Sequence, residues 1–293
     1  MRVYKMIALL LLALMPGNGY LFSQKIIPVL QDKEKKTLTI SDSSGDLLLH
    51  LTYSGGCHLD KIVVKGVEVT GDGKTAYSGI RLAGQSYTSA RSSTAPVVAV
   101  RGNVLKIGAI KFGEPALAIE EEWIFTIHKK DIQWRINRRY INEGVVEEND
   151  FPCWQFNSMQ TWDGALLDNG GVAWNRFLDQ PGDAYGVQAG TLTFWNKTDN
   201  HCLRITPNED PTSFRTATFM HRKEGVFSVV QSSSTEPVAT KYGLRRFLQT
   251  GQYVFAPIPV KPSVVSVQYT LHLNLVVTLQ DDVYTGIYDQ CVV

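Results

Sequence analysis

Between Phe151 and Phe177 the chain sets six aromatic residues, Phe151, Trp154, Phe156, Trp162, Trp174 and Phe177, within 27 positions. Asp163, Asp168, Asn169, Asn175 and Arg176 stand among them, and Gly164 and the pair Gly170-Gly171 interrupt the run. Three of the chain's six tryptophans fall in this segment. Each aromatic ring carries roughly 150–250 Å² of apolar surface, so such a segment either folds back and buries its rings or meets a ligand. A sugar suits these residue types: the C–H face of a pyranose lies on an indole while Asp, Asn and Arg pair with its hydroxyls. On that reading Trp154, Trp162, Trp174, Asn169, Asn175 and Arg176 are candidate substrate-binding residues. A self-burying plug is the other reading, and the two can coexist.

Asp163 and Asp168 are the candidate catalytic carboxylates, with Glu147, Glu148 and Asp150 just upstream. Glycoside cleavage needs an acid and a base separated by roughly 5–10 Å, and spacing along a loop does not supply that distance. Asp168-Asn169-Gly170 also reads as a simple turn. The run Glu120-Glu121-Glu122, followed by Lys129, Lys130, Arg135, Arg138 and Arg139, is explained by cross-strand ion pairing. The six histidines, at 50, 58, 128, 201, 221 and 272, never fall at metal-ligand spacing, so no metal is expected. No zincin, hydrolase-elbow, dinucleotide-binding or P-loop motif is present, and no cofactor is expected. Asn196-Lys197-Thr198 is a glycosylation sequon, meaningful only in a eukaryotic secretory pathway.

These residues have to be positioned by strands. From Val265 to Leu279 every odd residue is apolar and every even one but Val276 is polar, which describes a ribbon with one face buried. At about 3.3 Å per residue it would reach roughly 50 Å, as a broad sheet requires. Trp123, Phe125 and Ile127 alternate toward a polar tip, His128-Lys129-Lys130-Asp131, and Ile132, Trp134 and Ile136 alternate back, which predicts a hairpin. Further strand-like runs are Leu47–Tyr53, Leu59–Val64, Val97–Arg101, Val104–Phe112, Gly190–Trp195, Phe214–Met220 and Val226–Val230. Turn residues such as Ser54-Gly55-Gly56 and Arg101-Gly102-Asn103 separate them. No dozen residues hold a 3.6-residue apolar period, and the Phe151–Phe177 segment lacks strand patterning and reads as an irregular connection. The expected fold is therefore all-β, a large antiparallel two-sheet β-sandwich filling residues 24–293.

The charge balance of 29 basic to 28 acidic residues gives no basic excess for a nucleic acid or an anionic membrane. Arg2 and Lys5, the ten apolar residues Met6–Met15 and then Pro16-Gly17-Asn18-Gly19 have the layout of a signal peptide, residues 1–23. Ten helical residues rise only about 15 Å, too short to span a bilayer. Export to the periplasm or the outside is expected, with no membrane contact after cleavage. Cys57, Cys153, Cys202 and Cys291 allow three pairings in an oxidising compartment, and the sequence does not choose among them.

The export signal, the long alternating strand and the Trp-rich segment FPCWQFNSMQTWDGALLDNGGVAW (151–174) following IQWRINRRYIN (132–142) resemble the galactose-mutarotase-like β-supersandwich. In particular the chain looks like the version that forms the N-terminal domain of bacterial two-domain glycoside-processing enzymes. In that family the concave face handles carbohydrate or packs on a catalytic α/α barrel. The mutarotases' Glu base and His acid have no motif match here, so the resemblance carries over no catalytic residue. It implies a carbohydrate-binding sandwich for an oligosaccharide or polysaccharide, a stand-alone or truncated N-terminal domain of a glycoside-processing enzyme with a separate catalytic domain as partner, and no barrel is expected after Leu279. A glycoside hydrolase, lyase or sugar epimerase with carboxylates on the sandwich is the alternative, and a structural surface protein is the third reading.

Overall fold

A computed structural model describes residues 28–70, 73, 75–156, 162, 164–167, 172–174, 183–187, 192–196, 201–207, 215–223, 226–234 and 258–275. All regular structure among them is β. In chain order the strands are β1 (Val29–Asp32), β2 (Thr37–Ser41), β3 (Leu47–Thr52), β4 (His58–Val64), β5 (Val67–Glu68), β6 (Ala76–Leu82), β7 (Gln85–Thr88) and β8 (Val97–Arg101). The middle of the chain supplies β9 (Val104–Glu114), β10 (Leu117–Ile127), β11 (Asp131–Tyr140), β12 (Gly144–Val146), β13 (Glu148–Phe156), β14 (Gly164–Leu167) and β15 (Val172–Trp174). Then follow β16 (Asp183–Val187), β17 (Leu192–Asn196), β18 (His201–Pro207), β19 (Arg215–Lys223), β20 (Val226–Ser234), β21 (Ile258–Val260) and β22 (Ser263–Leu275).

Two large antiparallel sheets result. The first runs β1-β2-β3-β4-β6-β13-β20-β19-β16, with β5 on β4 and β7 on β6. The second runs β15-β14-β17-β18-β22-β11-β10-β9-β8, and β12 and β21 form a separate pair. The alternation read from the sequence sets which face is which. Along β10 buried and half-buried residues alternate without a break, and β11 repeats the pattern through Ile132, Trp134, Ile136, Arg138 and Tyr140. The hairpin tip is one residue shorter than expected, because Asp131 already pairs with His272 of β22. Leu38, Leu49, Leu51, Leu59 and Ile62 of the first sheet and Leu105, Ile107, Phe125, Trp134 and Leu271 of the second share one hydrophobic core. The structure is thus the expected two-sheet β-sandwich.

Part of the Phe151–Phe177 segment departs from expectation. Its first six residues belong to β13, which is hydrogen-bonded on both edges, to β6 and to β20. Two further pieces are β14 and β15, paired with each other. The β13 register slips between Asp150 and Cys153, around Pro152, and Phe151, Pro152, Cys153 and Trp154 are all buried in succession. A central strand covered on both faces has no reason to alternate, and a bulge at proline removes what period remains. Sequence patterning therefore missed this strand.

A charged cluster ties the two sheets together inside the core. Glu121 of β10 and Arg138 of β11 are register partners on the inner face, and neither side chain is exposed. Arg138 Nε donates to Glu121 Oε1 at 2.6 Å, and Trp123 Nε1 donates to Glu121 Oε2 at 2.9 Å. From the first sheet, Ser78 donates to Glu121, the Asn149 side-chain oxygen accepts from Arg138, and the Asp150 carbonyl accepts from Arg138 at 3.0 Å. The guanidinium also lies 4.0 Å from the Phe151 ring centre. Burial alone would lower the basicity of Arg138, but Glu121, with Tyr140 beside it, outweighs that and raises it. On the outer face Glu120 pairs with Arg139, so the acidic run is accounted for by cross-strand pairing as the sequence suggested. Cys57, Cys153 and Cys202 are buried.

Candidate functional site

The first sheet carries an open hollow of about 580 Å³ on its outer face, over β2, β3 and β4. Thr37, His50, His58, Asp60 and Lys61 line it together with Leu38, Leu51 and Gly73. Register explains the assembly. Thr37, Thr52 and His58 form one row across the three strands, and Thr39, His50 and Lys61 form the next. In β2 and β3 these residues lie two apart and so share a face, in β4 they lie three apart across an irregularity, and Leu49, Leu51, Leu59 and Ile62 turn into the core.

One irregularity places an additional charge there. Leu51 pairs with Leu59 and His50 with Lys61, so β4 holds one residue more than β3 at this point. The extra residue is Asp60, and both it and Lys61 are half-buried between the buried Leu59 and Ile62. A β-bulge of this kind re-aims side chains, and here it brings a carboxylate and an ammonium onto one side of the strand. The carboxylate is fixed at both oxygens: Thr52 Oγ1 donates to Oδ2 at 2.5 Å and His58 Nε2 lies 2.9 Å from Oδ1. Lys61 Nζ donates to Glu68 Oε2 at 3.0 Å, so these two charges compensate each other and the Asp60 carboxylate keeps its own. His58 Nδ1 and Glu68 Oε1 are buried without a hydrogen-bond partner.

His50 differs from His58 in its setting. Its Nδ1 lies 3.0 Å from Thr39 Oγ1. Burial first, and then Lys61, hold its pKa below the ordinary histidine value, with Asp60 and Glu68 opposing. The imidazole is accordingly neutral at neutral pH and can both donate and accept. The arrangement offers a fixed acceptor at Asp60, an oriented imidazole at His58, an amphoteric imidazole at His50 and a hydroxyl at Thr37. Such a set recognises a hydroxyl-rich, uncharged molecule, and the hollow lies within the usual 300–1,000 Å³ of small-ligand sites. Among the described residues no group of three or more His, Cys, Asp and Glu could hold a metal ion.

No family model matches the chain, and no curated protein matches it. Solved structures do. A candidate aldose 1-epimerase from Klebsiella pneumoniae superposes with a TM-score of 0.53 at 10% identity, covering 87% of this chain and 82% of that one. A second candidate aldose 1-epimerase, from Escherichia coli K12, gives a TM-score of 0.50 at 9% identity over 81% of this chain and 98% of its own. The fold is galactose-mutarotase-like. A galactose mutarotase-like protein from Clostridium acetobutylicum is similar at 7% identity and a TM-score of 0.48, covering 82% of this chain and 95% of that one. Identities this low establish the architecture alone.

Within this galactose-mutarotase-like fold Trp154 and Trp162 are buried and line no groove. Trp154 has no exposed surface and packs edge-on against Trp134 of the opposite sheet, with ring centres 5.4 Å apart. Trp162, 1% exposed, donates from Nε1 to the Val69 carbonyl at 3.1 Å and leans on Phe194. An indole sealed on both faces cannot stack on a sugar, so these two rings are inter-sheet packing, the plug reading of the segment. Trp174 ends β15, with its backbone opposite Gly164, and its side chain lies outside the described residues, as do Asp163, Asp168, Asn169, Asn175 and Arg176. The hollow over β2–β4 was not singled out from sequence, yet it left a trace. His50 and Thr52 on one side of Ser54-Gly55-Gly56, and His58 and Asp60 on the other, are i, i+2 pairs flanking a turn. The three-residue step from Leu59 to Ile62 marks the bulge.

Proposed function

We propose that this chain is an exported carbohydrate-binding β-sandwich that holds part of an oligosaccharide or polysaccharide in the hollow over β2–β4. One observation carries the reading: an open concavity, on a fold similar to candidate aldose 1-epimerases, whose side chains are hydrogen-bonding groups, with one fixed carboxylate at Asp60, held in place by the sheet. Hydroxyls on a sugar ring match the alternation of acceptor and amphoteric groups at Asp60, His58 and His50. The basic start and ten-residue apolar run support export. In this reading the chain works alone or beside a separate catalytic domain, and Trp174 with Asn169, Asn175 and Arg176 supplies further sugar contacts.

Titration of the protein with a panel of neutral mono- and oligosaccharides tests this. Binding in the millimolar-to-micromolar range, weakened at least ten-fold by Asp60→Asn and by His50→Phe, is the expected result. Unchanged affinity in both folded variants removes the hollow from consideration.

A second reading draws on the neutral state of His50 opposite the His58–Asp60 pair. Two imidazoles, one free to take a proton and one backed by a carboxylate, are the parts of a general acid–base pair, which would make the chain a sugar epimerase. Asp163 and Asp168 remain the candidates for a hydrolase or lyase. Faster anomer interconversion of a fresh sugar solution, followed by NMR and lost in His50→Phe, favours the epimerase; a rate equal to the buffer's refutes it.

A further inference from the structure

The second sheet has a polar row on the face turned away from the core. Asp131 of β11 is the register partner of His272 of β22, and His272 is in turn the partner of Arg204 of β18. Thr193 of β17 continues the row. The next residues on these strands, Ile132, Leu271 and Leu203, are buried in the core, so the row points outward from the sandwich. Two residues along, Gln133, Thr270 and Thr206 extend the same polar face.

This row is not washed by solvent in the way of an ordinary outer face. Thr193 is 1% exposed, and Arg204 Nε and Asp131 Oδ1 are both buried without a hydrogen-bond partner. Arg204 and Asp131 stand two strands apart, about 10 Å between strand axes, with His272 between them, and they form no ion pair. A buried guanidinium N–H and a buried carboxylate oxygen left unpaired are each destabilising, and that penalty disappears when a ligand satisfies them. Burial, then Arg204, hold His272 below the ordinary histidine range, against the pull of Asp131, so the imidazole between the two charges is amphoteric.

We propose that Arg204, His272 and Asp131 form a second ligand site, separate from the hollow over β2–β4, that takes a uronic acid. The guanidinium edge bearing Nε receives the carboxylate in the two-bond geometry peculiar to arginine. Asp131 accepts from a ring hydroxyl, and His272 spans the hydroxyl between. A neutral sugar satisfies Asp131 but leaves Arg204 unpaired. A simple inorganic anion satisfies Arg204 but repels Asp131. Only a molecule carrying both an anionic group and hydroxyl donors, about one substituted ring apart, answers both.

Calorimetric titration of the full chain with sodium galacturonate, trigalacturonate and galactose tests the assignment. Galacturonate or its trimer should bind at least ten-fold more tightly than galactose at this site, and Arg204→Met should reduce that affinity at least ten-fold. Asp131→Asn should weaken it several-fold, and Asp60→Asn in the other hollow should leave it unchanged. The monomer and trimer arms separate a free sugar acid from a polymer chain; binding of either supports the site, and binding of neither overturns it. Should Arg204→Met fail to fold, the His272 ring signals of the unmodified protein decide, since they must shift on adding galacturonate and a fixed spectrum refutes the proposal. Galacturonate binding that survives Arg204→Met in a folded protein also overturns it. Loss of neutral-sugar binding in Asp60→Asn with galacturonate binding intact identifies the two sites as independent.

Discussion

Replacing Arg138 by alanine removes the only cation among the described residues that faces Glu121, whose side chain has no exposed surface. The carboxylate keeps its bonds from Ser78 and Trp123, but both are neutral donors. The Asn149 oxygen keeps Tyr140, while the Asp150 carbonyl loses its bond from Arg138. Breaking a buried pair from one side costs about 3–5 kcal/mol, because the surviving charge stays desolvated. For a domain of this size each kcal/mol moves the melting temperature by about 2–4 °C, so Arg138→Ala should melt some 6–20 °C lower. The double replacement Glu121→Leu with Arg138→Met removes both charges and fills their volume, and it should recover most of that loss. Thermal unfolding followed by circular dichroism, with urea titration as a second measure, reads both. An Arg138→Ala variant within about 1 kcal/mol of the parent would refute the view that this pair is a desolvated, mutually dependent unit. So would a double variant as unstable as the single one.

Two further outcomes are expected. Trp154→Ala should destabilise by about 3–5 kcal/mol through the cavity it leaves between the sheets, and sugar affinity in the surviving folded fraction should be unchanged; urea titration and calorimetry read the two parts. His50 and His272 both have folded pKa values below the usual one, so the unfolded chain takes up protons first. Their contribution is complete above the ordinary histidine value near 6.5 and is lost as pH falls through the lower folded values. The melting temperature should therefore drop between pH 7.5 and 5, and His50→Gln with His272→Gln should flatten that drop; an identical slope in the double variant would contradict it.

Strand patterning was legible where a long alternation coincides with one wet face. The β10–β11 hairpin and β22 from Val267 to Leu271 alternate in sequence as they do in the fold, because their outer residues meet water or polar partners. It was illegible at β13, where neighbours on both edges and cover on both faces leave no polar phase to alternate with. The tryptophans illustrate the same limit at the level of function. A ring rich in apolar surface is what a sugar platform and an inter-sheet plug both require, and only the opposing ring of Trp134 decides for Trp154. Asp60 and His58 were passed over for the converse reason. Single polar residues on the wet side of a strand are ordinary, and nothing in a one-dimensional reading brings Thr52, His50 and Asp60 together across a hairpin. The phase break between Leu59 and Ile62 was the available clue, and its meaning depended on knowing which strand lay opposite.

That phase break has an evolutionary corollary. Excising Asp60 would return Leu59, Lys61 and Ile62 to strict alternation, with every core leucine and isoleucine of the hairpin still facing inward. The carboxylate that orients His58 is thus encoded by a single in-frame codon, one whose gain or loss keeps the inward-facing leucines and isoleucines in phase. A lineage built on this scaffold could acquire or discard the polar hollow without re-evolving the protein beneath it.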